Sequence, residues 1–243
     1  MTEPAHARRP NFRTTRWSVV LAAGGRSPDS RRALSELCAQ YWFPLYAFLR
    51  RSGWETADAE DLTQGFFLRL MEKQDLAAVH PDKGRFRSFL LKALKFYAAN
   101  EWDRRRAAKR GGDLEQVELS FEDGEPRYQS MGDECSPEDL YERSWARAVS
   151  AGALEAVRLD YARRGREEQF EALEGTLTGA TDDSYRAIAA RLDKSEGAIK
   201  VAVHRLRQRF GSELRSQVAQ TVAGPEQLEA ELRNLIAVLR FQD

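Results

Sequence analysis

Residues 84–112 read GRFRSFLLKALKFYAANEWDRRRAAKRGG, and the spacing inside this stretch sets the fold class. Phe86, Phe89, Leu90, Ala93, Leu94 and Tyr97 recur at helical intervals, which brings them onto one face of an α-helix and marks that face as core. Around that stripe stand Arg85, Arg87, Lys92, Lys95, Arg104, Arg105, Arg106, Lys109 and Arg110, opposed only by Glu101 and Asp103, a local cationic excess that suits a polyanion. Charge alone decides little, because such runs are usually solvated helix faces. Phe96 and Trp102 add the missing weight: they fall off the apolar stripe, and exposed rings stack on unpaired bases for roughly 1–3 kcal/mol each.

The same period extends outward on both sides. Upstream, Leu34, Leu37, Cys38, Tyr41, Leu45, Phe48 and Leu49 mark an apolar helix that Pro44 is expected to bend or split and Gly53 to close. Before it, Thr14 or Thr15 is placed to cap a short helix through Trp17, Val20 and Leu21. Between these elements and residue 84 lies DAEDLTQGFFLRL (58–70), whose Ala59, Leu62, Phe66, Phe67 and Leu70 point inward while Glu60, Asp61 and Gln64 share the outer face. Carboxylates in a first turn also suit the helix dipole, so stability alone accounts for part of that pattern.

Downstream, residues 113–142 hold eleven acids and a single arginine, with Gly124, Pro126, Gly132 and Pro137 interrupting, so a flexible acidic linker is expected there. Beyond it, Trp145, Ala148, Val149, Ala156, Val157 and Tyr161 mark one helix, and Phe170, Leu173 and Leu177 another after RRGREE. The sharper signal is SYRAIAARLDKSEGAIKVAVHRLRQRF (184–210), which reads as helix, short turn, helix. Ile188, Ala189 and Leu192 face in, Ser195 caps, and Ile199, Val203, Leu206 and Phe210 form the second stripe. That leaves Lys200, Val201, His204 and Arg205 outward near the start of the second helix, where a recognition helix places its base-edge contacts. A tail with Pro225 near its start and Leu228, Leu232, Leu235, Ile236 and Leu239 on one side forms a last helix, with packing against the rest of the chain as its simplest role.

Whole-chain properties narrow the classes further. The 243 residues carry 38 basic and 38 acidic side chains, and 42% are hydrophobic without any membrane-length apolar run. MTEPAHARRPNF lacks the apolar core of a leader, so a cytoplasmic location is the expectation. Cys38 and Cys135 lack CxxC spacing, and His6, His80 and His204 are scattered, so neither a disulfide nor a metal site is expected. No cofactor is implied. Hydrolase or nuclease chemistry would need a clustered set of carboxylates, histidines or a nucleophile with its base, which the sequence does not supply, so no enzymatic activity is expected.

DAEDLTQGFFLRL followed by GRFRSFLLKAL and a basic tail resembles region 2 of bacterial RNA polymerase sigma factors of the extracytoplasmic-function (ECF) type, and the helix-turn-helix after an acidic linker resembles their region 4. The likeness covers Leu34 to Gly112 and Tyr185 to Phe210. It departs from the pattern between Glu142 and Tyr185, where the usual LP-and-Arg motif is missing and EEQFEALEGTLTGATDD looks like added length. The resemblance implies an all-α protein with a region 2-like domain at 31–112, a linker at 113–142, a region 4-like domain at 143–223 and a C-terminal helix at 224–243, after an extension at 1–30. It implies core RNA polymerase as partner, through the largest-subunit clamp helices and the flap, with Glu60, Asp61 and Gln64 at the clamp. It also implies promoter DNA. Lys95, Phe96, Asn100 and Trp102 would capture the minus-ten element, Arg104, Arg105 and Arg106 would hold its phosphates, and Lys200, Val201, His204 and Arg205 would read the minus-thirty-five element. An anti-sigma factor or other regulator is a further partner of such proteins. The alternative is a stand-alone helix-turn-helix regulator that binds duplex operator unaided, which explains the second half only.

Overall fold

The computed structural model describes residues 28–72, 85–108, 124–131, 135–179, 184–222 and 224–240. Its helices are α1 (Pro28–Arg51), α2 (Thr56–Glu72), α3 (Phe86–Ala108), α4 (Gly124–Gln129), α5 (Pro137–Arg163), α6 (Glu167–Leu173), α7 (Gly175–Thr178), α8 (Tyr185–Arg191), α9 (Glu196–Ala219) and α10 (Pro225–Arg240). No strand occurs among the described residues, so the fold is all-α as expected. The expected short helix around Trp17 lies outside them. Two compact units form: one from the residues up to Ala148 together with those from Ala219 onward, the other Val149–Val218.

In the first unit, α1 runs unbroken through Pro44. Proline removes one backbone bond, yet burial of Tyr41, Leu45, Tyr46 and Leu49 around it offsets that loss, and the helix does not split. Gly53, at φ +93°, ends it by donating to the Arg50 carbonyl while Trp54 N–H donates to Leu49 at 3.2 Å. Against α1 lie α2, through Leu62, Phe66 and Leu70, and α3, through Phe86, Leu90 and Leu94, all buried. Gly65 sets how closely α2 meets α3: a Cβ there would sit 2.5 Å from the Tyr97 hydroxyl.

Three expectations need correction in this unit. First, part of the segment expected to be a flexible linker is folded. Gly124 begins α4 because a Cβ would fall 2.8 Å from the Trp42 ring, and Pro126 sits in the first turn, where no N–H is required. Glu125 locks α4 to α1, accepting from Tyr46 Oη at 2.5 Å and from Arg50 Nε and Nη2 at 2.9 and 2.8 Å. Pro137 opens α5, with Ser136 Oγ accepting the Asp139 N–H at 3.1 Å as its cap. Residues 113–123 and 132–134 of that segment lie outside the described residues.

Second, the chain passes from the first unit to the second inside α5, between Ala148 and Val149, rather than at the end of the acidic stretch near residue 142; the C-terminal helix, whose packing partner the sequence leaves open, belongs to the first unit. α10 turns Leu228, Glu231 and Leu235 inward and leaves Ile236 exposed, so its buried face is rotated from the all-apolar side that the sequence marks out. The reason is the third correction. Arg87, counted among the cations of the surface stretch, is 4% exposed and pairs with Glu231, itself 1% exposed, and with Glu142 of α5. Arg85 joins them at 3.0 Å from Glu231. The guanidinium of Arg87 lies 4.6 Å from the Trp145 ring, its carbonyl accepts from Tyr141 Oη at 2.8 Å, and Trp145 Nε1 donates to Tyr41 Oη at 3.1 Å. Burial pushes the Tyr41 hydroxyl's pKa up, which keeps it neutral as that acceptor. Charges buried this deeply are tolerated only when paired and hydrogen-bonded, and here the carboxylates come from α5 and α10, both distant in sequence from Arg87.

The second unit is built around Val157, Tyr161, Phe170, Leu173, Ile188, Ile199, Val203 and Leu206. α8 starts at Ser184, whose Oγ accepts the Ala187 N–H at 3.2 Å, and α9 starts at Ser195, which accepts from Ala198 at 3.2 Å. Between them Asp193 adopts φ +50°, the left-handed residue that the tight turn needs, and Lys194 N–H donates back to the Ala189 carbonyl at 2.9 Å. This is the helix-turn-helix expected from the spacing of its apolar residues. Of the added length, 167–179 forms α6 and α7, ended by Gly179 at φ +72°, and 180–183 lie outside the described residues.

Candidate nucleic-acid interface

Burying Phe86, Leu90, Leu94 and Ala98 turns the opposite side of α3 outward, and the residues singled out for DNA contact stand there. Phe96 is 68% exposed and Trp102 52%, and Lys92, Lys95 and Arg104 are exposed with them. Asn100 is half-buried. The side chains of Arg105 and Arg106, and Lys109 and Arg110 altogether, lie outside the described residues. Two of the cations hold local carboxylates: Lys95 Nζ lies 2.5 Å from Glu138, and Arg104 lies 2.8 Å from Glu101. Both bridges are solvated on at least one side, and such pairs contribute about 0–1 kcal/mol, too little to withhold the cations from a phosphate chain.

The structure adds a residue that helical periodicity does not mark. Trp54, just past the Gly53 turn, meets Trp102 edge to face, with centroids 5.5 Å apart and planes at 86°. That geometry fixes the Trp102 ring while leaving half of it in solvent. Its only signal in the sequence is a large ring directly after a helix-ending glycine, and a ring in that position serves equally well to cover a helix end. On α2, Asp61 is exposed and Glu60 and Gln64 are half-buried, while Leu62 and Thr63 are buried between them, so the three form an outward edge of the helix. Arg69 of α2 lies 5.8 Å from the Tyr97 ring of α3.

In the second unit, Lys200, Val201, His204 and Arg205 are all exposed on α9, Val201 at 50%, with Ile199, Val203 and Leu206 buried behind them. Lys200 pairs with Glu196 one turn earlier at 2.9 Å, which lowers the pKa of that carboxyl and raises that of the lysine. His204 and Arg205 make no ion pair among the described residues. A half-exposed valine flanked by histidine and arginine can meet a thymine methyl and base-edge acceptors together. Among the described residues no group of three His, Cys, Asp or Glu gathers as metal ligands would, and no helix is long and apolar enough to cross a membrane. Comparison of the chain with protein-family models, with curated proteins and with solved structures finds no match in any of the three.

Proposed function

We propose that this chain is a transcription initiation factor of the ECF sigma type, which associates with core RNA polymerase and engages promoter DNA through two separate surfaces. The observation that carries this reading is the pair of solvent-facing rings, Phe96 and Trp102, on a helix that also exposes Lys92, Lys95 and Arg104. A duplex-only regulator has no use for them, since bases in a duplex are stacked already, whereas a strand-opening factor needs π-faces to receive unpaired bases and cations to hold the backbone. On this reading α9 reads the upstream duplex through Val201, His204, Arg205 and Lys200, and the edge formed by Glu60, Asp61 and Gln64 faces the polymerase. The factor does no bond chemistry of its own.

The test is a gel-shift assay with duplex promoter fragments, with and without core polymerase. Tight specific binding only when core enzyme is present supports the reading. Tight specific binding by the isolated chain, unchanged by core enzyme, supports the stand-alone regulator instead.

A further inference from the structure

Resting on the duplex-reading role proposed for α9, we propose that Arg166 and Lys194 form a phosphate clamp beside the reading face of the second unit, a backbone contact outside the helix-turn-helix residues assigned above. A surface cleft of about 690 Å³ opens there, lined by Arg166, Glu168, Lys194, Val201, Arg205 and Tyr161 among others.

The cations of this unit differ in what they meet, and Arg158 and Lys200 pair with Glu155 and Glu196 on their own helices. Arg163, Arg164 and Arg209 all reach Asp160, and Arg207 donates to the Thr176 carbonyl at 3.0 Å, so each of these already has a partner within the unit. Arg166, Lys194 and Arg205 make no side-chain hydrogen bond or ion pair among the described residues, and all three are exposed and line the cleft. Three exposed cations around one concavity, with no side-chain partner among the described residues, present a site for an outside anion.

Two tight turns set the first two cations in place. Gly165, at φ +65°, precedes Arg166, whose N–H donates to the Tyr161 carbonyl at 3.0 Å. Asp193, at φ +50°, precedes Lys194, tied back to Ala189. Both cations therefore project from backbone fixed by hydrogen bonds rather than from loose loops. Tyr161, Arg166 and Arg205 all line the cleft, which gathers the two arginines beside one ring. Glu168 is the sole acid among the lining residues, so the cleft is net positive. The occupant that fits is the sugar-phosphate backbone of duplex DNA. A helix in the major groove brings a flanking phosphate chain alongside its own start, and Val201 and Arg205 belong both to the cleft and to the reading face.

The experiment uses the full chain bound to core polymerase, with a duplex enriched from a randomised pool by the wild-type complex and a scrambled version of it. Arg166→Gln and Lys194→Gln should each weaken both duplexes by a similar factor, roughly three- to tenfold, and reduce the log–log salt slope by about one. Glu168→Gln should tighten both duplexes. Because these side chains are exposed, the variants should keep the wild-type helical circular dichroism and melting temperature. Unchanged affinity and salt slope in both variants, with the wild type still discriminating the two duplexes, would overturn the clamp alone. A wild-type complex that enriches no duplex would overturn the transcription reading and the clamp with it. Loss of discrimination without uniform weakening would also overturn it, since that is the mark of a base contact.

Discussion

The two ends of α3 carry the same residue types and do opposite work. At its start, Arg87 and the adjoining Arg85 are drawn inward by Glu231 and Glu142, carboxylates that lie far along the chain. Further along, Lys92, Lys95 and Arg104 stand in water beside two exposed aromatic rings. What separates the ends is the neighbour each meets: the start meets carboxylates of α10 and α5 in the core, while further along Trp102 meets Trp54 and the exposed Lys95 and Arg104 meet Glu138 and Glu101. A local charge count cannot distinguish a cation waiting for a ligand from one already neutralised, because the neutralising partner is set by tertiary contact.

Substitutions can break this contrast, and the largest effect belongs to the buried end. Glu231→Ala should cost the first unit about 3–5 kcal/mol, read by denaturant unfolding, because it removes the buried carboxylate from Arg87 and leaves that guanidinium only the half-buried Glu142. The double change Arg87→Met with Glu231→Leu should recover most of that loss. If Glu231→Ala proved silent, the buried pairing would be wrong.

At the exposed end the same assay should show little, and the effect should move to binding. Trp102→Ala is expected to weaken single-stranded DNA binding by the core-bound complex by about 1–3 kcal/mol. Trp54→Ala should weaken it less, by about 0.5–1.5 kcal/mol, since it removes the edge that orients Trp102 and not the stacking face itself. Equal losses would mean that both rings touch the bases.

A third contrast lies in pH. The Glu125 carboxyl is held down to about 2, chiefly by hydrogen bonds from Arg50. A carboxyl whose folded pKa is depressed contributes stability above its unfolded value, near 4.5, and loses that contribution as pH falls toward 2. Allowing for the solvent that reaches this pair, the contribution is about 1–2 kcal/mol, and Glu125→Gln should flatten the acid limb of the unfolding curve by that amount. The exposed Lys95–Glu138 pair gives the smallest effect. Glu138→Gln should change stability by less than about 1 kcal/mol, measured by thermal melting.

Much of the architecture is legible in the sequence because it is local. Helical spacing places Phe86, Leu90 and Leu94 in the core, and Ser195 with Ile199, Val203 and Leu206 marks the second helix of the helix-turn-helix. The exposed residues of the candidate site follow from the same periodicity, since whatever lies opposite a buried stripe faces water. The failures are non-local. Nothing within ten residues of Arg87 points to Glu231, and Gly124 reads as a breaker until the Trp42 ring that requires it is in view. Pro137 looks like an interruption in an acidic stretch, although it is the residue that opens a helix of 27 residues. Trp54 and Arg166 escape a reading by periodicity for the same reason: each gains its meaning from a neighbour brought close by folding.

The place of α10 fixes the order in which the molecule can be completed. A ribosome that has made residue 218 has supplied every residue of the second unit, yet it still owes the first unit Leu228, Glu231 and Leu235. The part begun earlier is thus finished later, and until those residues emerge Arg87 has no carboxylate from beyond Glu142 to meet.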